Sequence, residues 1–152
     1  MVIVILLMGL LYWTGRPSLN EKLFIAAAGT NTQEAASLIE RGAHVNMITT
    51  KLARHTPLRN AVLFGDYNMV KLLLSKGADP NACDGSGRSV LFSAVIWRDE
   101  NTKVIRLLIE NGARLSNESE REFVTGLEPD NKNRLAYEKY FRVKPAATVR
   151  HE

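Results

Sequence analysis

The sequence predicts an all-α solenoid of stacked helix-turn-helix units joined by short finger hairpins. The first observation is a glycine-alanine pair that recurs every 35 residues, at Gly42-Ala43, Gly77-Ala78 and Gly112-Ala113. The second is an apolar stripe at helical spacing before each pair, made of Ala35, Leu38 and Ile39, then Val70, Leu73 and Leu74, then Ile105, Leu108 and Ile109. The third is an asparagine at the same offset after the first two pairs, Asn46 and Asn81. Self-similarity at this period is typical of repeat proteins.

The second unit has the clearest local signals. Thr56 is suited to cap a helix, and Pro57 suits the first helical position because its missing N–H costs nothing there. Gly65 separates this helix from the next one. Gly77 is placed to take the left-handed conformation that ends the second helix. We therefore expect helix pairs over about 21–40, 56–75 and 89–110.

The run Thr56-Pro57-Leu58-Arg59-Asn60-Ala61 resembles the T-P-L-H-x-A motif of the ankyrin repeat, whose period is about 33 residues. Arg59, Phe24 and Phe92 stand where that motif has histidine, so the usual histidine hydrogen bonds are not expected. The resemblance covers about residues 19–141 and is most specific from 56 to 115. It implies a non-catalytic protein-binding module. The predicted units are 19–48, 49–81, 82–115 and a divergent cap, 116–141, followed by a flexible tail, 142–152.

Two insertions and the cap depart from the repeat pattern. The segment between Asn46 and Thr56 is two residues longer than its counterpart, which predicts a longer finger, and two extra residues follow Trp97. In the cap, Ser116–Glu120 has the residues of a helix start, with a Ser or Asn cap and acids in the first turn. Pro129 is expected to open a second helix that carries the apolar residues Leu135, Tyr137, Tyr140 and Phe141.

Residues 1–18 form a separate apolar segment. Met1 to Gly15 has no charged side chain, and as a helix it would be about 22 Å long against about 30 Å for the hydrocarbon core of a bilayer. Tyr12 and Trp13 suit a membrane interface. A signal-anchor or transmembrane-like helix, a cleaved signal and an apolar helix packed on repeat one all remain open. Arg16 and Lys22 after the segment favour cytoplasmic repeats, whereas a cleaved signal would export them, so the side of the membrane stays unresolved.

Composition and motifs argue against catalysis and nucleic acid. The chain has a net charge of +4, and its Lys and Arg residues are spread along it rather than clustered. Cys83 is the single cysteine, and the three histidines, His44, His55 and His151, show no ligand spacing, so no metal or other cofactor is expected. Gly85-Ser86-Gly87 lacks the lysine of phosphate-binding loops and is expected to be a finger turn.

A partner-binding surface is predicted from the repeat positions. In ankyrin-like stacks the two residues before the inter-helix turn face the concave surface, and here they are Leu63 and Phe64, then Ile96 and Trp97. Large apolar groups at such sites are typical of binding hot spots, unless Leu63 or Ile96 turns inward. A basic rim is expected around them, made of Lys51, Arg54, His55, Arg59, Arg88 and Arg98. This combination favours a partner with an acidic and apolar contact surface, although the basic side chains are equally consistent with solvated fingers.

The expected function is a protein–protein interaction module tethered to, or exported across, a membrane through residues 1–15. This design is similar to that of bacterial envelope ankyrin proteins, some of which are immunity proteins that neutralise a secreted effector. The alternatives are a scaffold or assembly factor for a membrane complex and an accessory protein for an envelope enzyme.

Overall fold

The computed structural model describes residues 17–48, 54–64, 66–97 and 101–143. In these residues it contains eight α-helices and no strand, apart from an isolated antiparallel bridge between Cys83 and Ser89. The helices are α1 (Leu19–Ala26), α2 (Thr32–Glu40), α3 (Pro57–Phe64), α4 (Tyr67–Ser75), α5 (Val90–Ile96), α6 (Thr102–Glu110), α7 (Glu118–Gly126) and α8 (Lys132–Val143). The all-α fold and the three predicted helix pairs are confirmed.

The helices form two layers. The first layer consists of α1, α3, α5 and α7, each packed against the next, and the second layer stacks α2, α4, α6 and α8 in the same way. Buried leucines from both layers meet between them; Leu23, Leu58 and Leu91 come from the first layer, and Leu38, Leu73 and Leu108 from the second. The predicted stripes are therefore the core of the stack, because each helix buries one face against its pair and its neighbours.

Local signals act where the sequence places them. The Thr56 hydroxyl accepts a hydrogen bond from the Arg59 N–H at 3.2 Å, and α3 begins at Pro57 as expected. Gly42, Gly77 and Gly112 all have φ between 86° and 98°, the left-handed conformation that ends a helix. These caps fix the ends of the helices, and so the length of each repeat.

The two recurrent asparagines connect successive repeats. The Asn46 side chain donates to the Gly77 carbonyl at 3.0 Å and accepts from the Asp79 N–H at 2.8 Å. Asn81 repeats both bonds one unit later, to the Gly112 carbonyl at 3.2 Å and from the Arg114 N–H at 2.9 Å. The period in the sequence is therefore the period of these bridges.

The last helix pair diverges from the others. The Asn117 side chain caps α7, as the sequence predicts, by accepting from the Glu120 N–H at 2.9 Å. The expected start of the final helix at Pro129 was wrong: Pro129 lies in a turn, and α8 begins at Lys132. The reason is that the Asn131 side chain caps this helix, accepting from the Arg134 N–H at 2.9 Å. Helix α8 packs mainly on α6.

Several predictions fall on residues outside the described ranges. They are the apolar segment 1–16, the lengthened finger at 49–53, the Gly65 break, the insertion at 98–100 and the tail from 144. Among the helices that are described, none has the length and apolar content needed to cross a membrane.

Candidate protein-binding surface

Two exposed aromatic groups of the first layer stand at equivalent positions of adjacent repeats. Phe64 ends α3 with 53% of its surface exposed, and Trp97 follows α5 with 61% exposed. Helices α3 and α5 pack directly on each other, so the two residues lie at corresponding ends of neighbouring helices. Leu63 is half-buried. Ile96 is also half-buried and packs against the core, so it turns inward as one of the two interpretations expected.

A third exposed aromatic residue was not predicted. Phe123 in α7 is 53% exposed, and its ring meets Phe92 edge-on with centroids 5.5 Å apart. It extends the apolar part of the first layer towards the cap. The repeat motif is absent from 116–126, so the face of α7 that is exposed could not be predicted from it. The available signal was a lone phenylalanine among charged residues.

The expectation that Arg59 lies on the exposed rim was wrong, because Arg59 is only 4% exposed. Its guanidinium donates to the Arg88 carbonyl at 2.9 Å and to the Ser89 carbonyl at 3.4 Å, both at the start of the next repeat. It also pairs with the Asp84 carboxylate at 2.7 Å. The position that the motif gives to histidine points into the joint between repeats, and the longer arginine reaches across it. Arg59 therefore connects repeats two and three.

Asp84 is the centre of this joint. Its carboxylate is buried and accepts from the Ser86 and Arg88 N–H groups at 2.9 Å each, in addition to both guanidinium groups. Burial alone would raise the pKa of Asp84, but the hydrogen bond from the Arg88 backbone, the Arg59 charge and the remaining donors outweigh it. The pKa of Asp84 therefore lies below its ordinary value, and the group is ionised at neutral pH.

The remaining rim residues differ in exposure. Arg88 pairs with Asp84 and keeps 45% of its side chain exposed. Arg54 is exposed and has a left-handed backbone with φ of 53°. His55 is half-buried, and burial together with the charges of Arg59 and Arg88 lowers its pKa, so it is mainly neutral at pH 7. Lys51 and Arg98 lie outside the described residues. Among the predicted rim residues that the structure describes, Arg54 and Arg88 thus supply exposed positive charge.

Glu120 is a second buried acid that the sequence did not single out. Its carboxylate accepts from the N–H and the hydroxyl of Ser89 and from the Ser116 N–H, each at 2.7 Å. It therefore ties the cap to the start of α5. The surface that remains for a partner, called the first-layer surface below, comprises Phe64, Trp97 and Phe123 with Arg54 and Arg88.

Reactive groups are sparse on this surface. The expected finger turn is present at Gly85–Gly87, closed by a hydrogen bond from the Gly87 N–H to the Asp84 carbonyl at 3.0 Å. Cys83 is exposed, and partial burial of its thiol, with the nearby Glu120 charge, raises its pKa, which reduces its reactivity at neutral pH. In the described part of the chain, no three His, Cys, Asp or Glu side chains are grouped as metal ligands would be.

Comparison with known proteins agrees with this architecture. A family model for ankyrin repeats, in three copies, matches residues 22–119. The chain belongs to the ankyrin-repeat family. The match covers more than half of the chain, and the ankyrin repeat is a protein–protein interaction module.

Relatives of this ankyrin protein come from distant organisms. An ankyrin repeat-containing protein of Treponema pallidum is 36% identical over 91 residues, which is 60% of this chain and 30% of that protein. The mouse B-cell lymphoma 3 protein homolog is 46% identical over 69 residues, 45% of this chain and 15% of the relative. The Caenorhabditis elegans ankyrin repeat and LEM domain-containing protein 1 homolog is 40% identical over 76 residues, 49% and 10% respectively. The chain thus spans less than a third of the length of each.

Proposed function

We propose that this ankyrin protein is a non-catalytic binding module whose first-layer surface holds a partner protein with an apolar and acidic contact surface. The observation that carries the proposal is the exposure of Phe64 and Trp97 at equivalent ends of adjacent helices. Fully desolvated aromatic anchors of this kind dominate the energetics of protein interfaces.

The exposed arginines of the fingers indicate that the partner has an acidic contact surface. Arg54 and Arg88 are exposed just before the starts of α3 and α5, the helices that carry Phe64 and Trp97 at their other ends, so they favour approach of a negatively charged surface. Such rim charges mainly raise the association rate and make it depend on salt, whereas the aromatic anchors set the lifetime of the complex.

The test is retention of a partner by Trp97→Ala. Tagged full-length protein, the Trp97→Ala variant and a Leu135→Ala control are cross-linked in cells of the source organism, and bound proteins are identified. Leu135 is a fair control because it is 48% exposed but lies on α8, in the second layer. We expect a protein that wild type and the control retain and Trp97→Ala loses, with unchanged thermal melts. Equal retention by all three would place the partner elsewhere, and a collapsed melt would make Trp97 part of the core.

We also propose that residues 1–15 hold the module at a membrane, because this stretch is apolar and has no charged side chain. Fractionation of the full-length chain against a version that starts at Pro17 tests this. We expect the full chain in the membrane pellet and the shorter form in the supernatant with the same melting temperature. If both are soluble and the shorter form is much less stable, the segment packs on repeat one instead.

Within this proposal, the narrower role is that of an immunity protein which neutralises a secreted bacterial effector. It is supported by the combination of an apolar leader with a small binding domain. A toxic effector encoded beside the gene, whose toxicity the protein abolishes, is the expected result. Co-purification with an integral membrane complex would favour a scaffold or assembly factor, and co-purification with an envelope enzyme an accessory role.

A further inference from the structure

We propose that Arg88 is a preorganised carboxylate-binding residue of the first-layer surface, held in its binding position by Asp84 and Arg59. The inference rests on the proposed function and adds the anchor residue and the chemistry that it recognises. The ligand is a side-chain carboxylate, from Asp or Glu, on the partner protein.

The first step is the rigidity of the finger that carries Arg88. The Asp84 N–H donates to the Arg88 carbonyl at 3.0 Å, which closes the finger at its base. The Asp84 carboxylate accepts from the Ser86 and Arg88 N–H groups, and Arg59 holds the Arg88 carbonyl from below. Five residues are thus fixed by bonds to a single buried acid and a single buried arginine.

The second step is the orientation of the Arg88 side chain. Its Nε donates to Asp84 Oδ2 at 3.0 Å. Because a guanidinium is planar, fixing Nε also fixes the plane and direction of the two terminal nitrogens. Within the described ranges, no residue accepts a hydrogen bond from Nη1 or Nη2 of Arg88, and 45% of the side chain is exposed. The outer edge of the group is therefore available to a partner.

The third step is charge. Asp84 faces two guanidinium groups, Arg59 and Arg88, and the Glu120 carboxylate on the adjoining Ser89 is the second acid of the joint. The positive charge that is open to a partner is therefore that of the exposed edge of Arg88. Two terminal N–H donors in one plane match the two oxygens of a carboxylate. The entropy of ordering the arginine has already been lost on folding, so a contact made here is stronger than an ordinary flexible surface pair.

The location of Arg88 defines the partner further. Arg88 precedes α5 and Trp97 follows it, so about 12 Å of helix separates the carboxylate site from the aromatic anchor. The expected ligand is a segment that presents an acidic residue at about this distance from a large apolar one.

The test uses a phage-displayed library of random 16-residue peptides as the probe and the full-length protein in a non-ionic detergent as the target. Selections are run on wild type, Arg88→Gln, Trp97→Ala and Lys71→Gln. Lys71 is a matched control because it is exposed on α4, in the second layer, and the substitution removes the same charge. We expect the wild-type and Lys71→Gln pools to share one Asp or Glu at a fixed position relative to an apolar residue. The Arg88→Gln pool should keep the apolar residue and lose the acidic one.

Affinities then measure the contact. Replacing the selected Asp by Asn should weaken binding to wild type about ten- to a hundredfold, and binding to Arg88→Gln less than about twofold. Two results would overturn the inference: wild-type pools without a fixed acidic position, or an equal loss of affinity for wild type and Arg88→Gln when the peptide Asp is replaced by Asn. An apolar preference that persists in Trp97→Ala would instead count against the proposed binding surface, so the two failures are distinguishable.

The role of Asp84 in positioning Arg88 can be measured separately. Asp84→Asn makes the surface more positive by one charge, so a simple electrostatic rim would bind the acidic peptide more tightly. If Asp84 positions Arg88, Asp84→Asn should bind the acidic peptide more weakly and should lose less affinity when the peptide Asp is replaced by Asn. If Asp84→Asn does not fold, Arg88→Lys is the variant to test, because lysine keeps the charge but lacks the planar pair of terminal N–H donors. If Arg88→Lys binds the peptide as tightly as wild type does, the proposed planar contact of a preorganised guanidinium is contradicted.

Discussion

Arg59→Ala tests how the two middle repeats are held together. The Arg59 side chain is only 5% exposed, and its guanidinium donates to one carboxylate and two backbone carbonyls. Removing one member of a buried ion pair typically costs about 3–5 kcal/mol, because the other charge is left uncompensated. Asp84 keeps the Arg88 Nε at 3.0 Å and two N–H donors, which places the expected loss near the lower end, at about 3 kcal/mol.

Urea unfolding followed by circular dichroism measures this loss, and a fall of roughly 10 °C in melting temperature should accompany it. Arg59→Met keeps most of the apolar stem, so its comparison with Arg59→Ala separates the charge from the packing. Arg106→Ala is the control, since Arg106 makes a solvent-exposed pair with Glu110 at 2.7 Å that should contribute little. A loss below about 1 kcal/mol in both Arg59 variants would refute the view that this arginine holds the joint.

Three further predictions concern the core, the helix ends and pH. Leu73→Ala should cost about 2–5 kcal/mol because Leu73 is fully buried, whereas Lys71→Ala on the same helix should leave the melt nearly unchanged. Gly77→Ala should cost about 1–2 kcal/mol through its φ of 86° alone, since an added Cβ meets no atom within 4 Å; Gly126→Ala is the control, equally open but without positive φ. The pKa of His55 is lower in the folded protein than in the unfolded chain, so as the pH falls His55 is protonated more readily in the unfolded chain. The free energy of unfolding should therefore decrease as the pH drops below about 6.5. Urea midpoints at pH 8 and 5.5 should show this slope, and an equal slope in His55→Gln would contradict it.

Much of this fold was predictable because its determinants are local and recur. The Thr56 cap, the proline at the first helical position and the glycine after each second helix act within a few residues of themselves. The apolar stripes follow from helical spacing, and the 35-residue period repeats the same asparagine bridge. Because the same local pattern occurs in several repeats, the fold can be predicted even where one copy departs from the pattern.

The candidate site was predictable only in part, because exposure depends on neighbours that the sequence does not place. Phe64 and Trp97 are exposed as expected, whereas Ile96, next to Trp97, packs against the core. Arg59 has the composition of a surface residue and is buried only because Asp84, 25 residues later, meets it in the joint.

The sequence by itself determined the helix pairs, their caps and their order, since these depend on spacing and on turn residues. Tertiary structure alone decided which charges are neutralised and which remain exposed. Two arginines share Asp84, yet one is sealed inside the joint and the other faces outward. The physical reason is that burying a charge is tolerable only beside a long-range partner, and that partner is placed by the stacking of whole repeats.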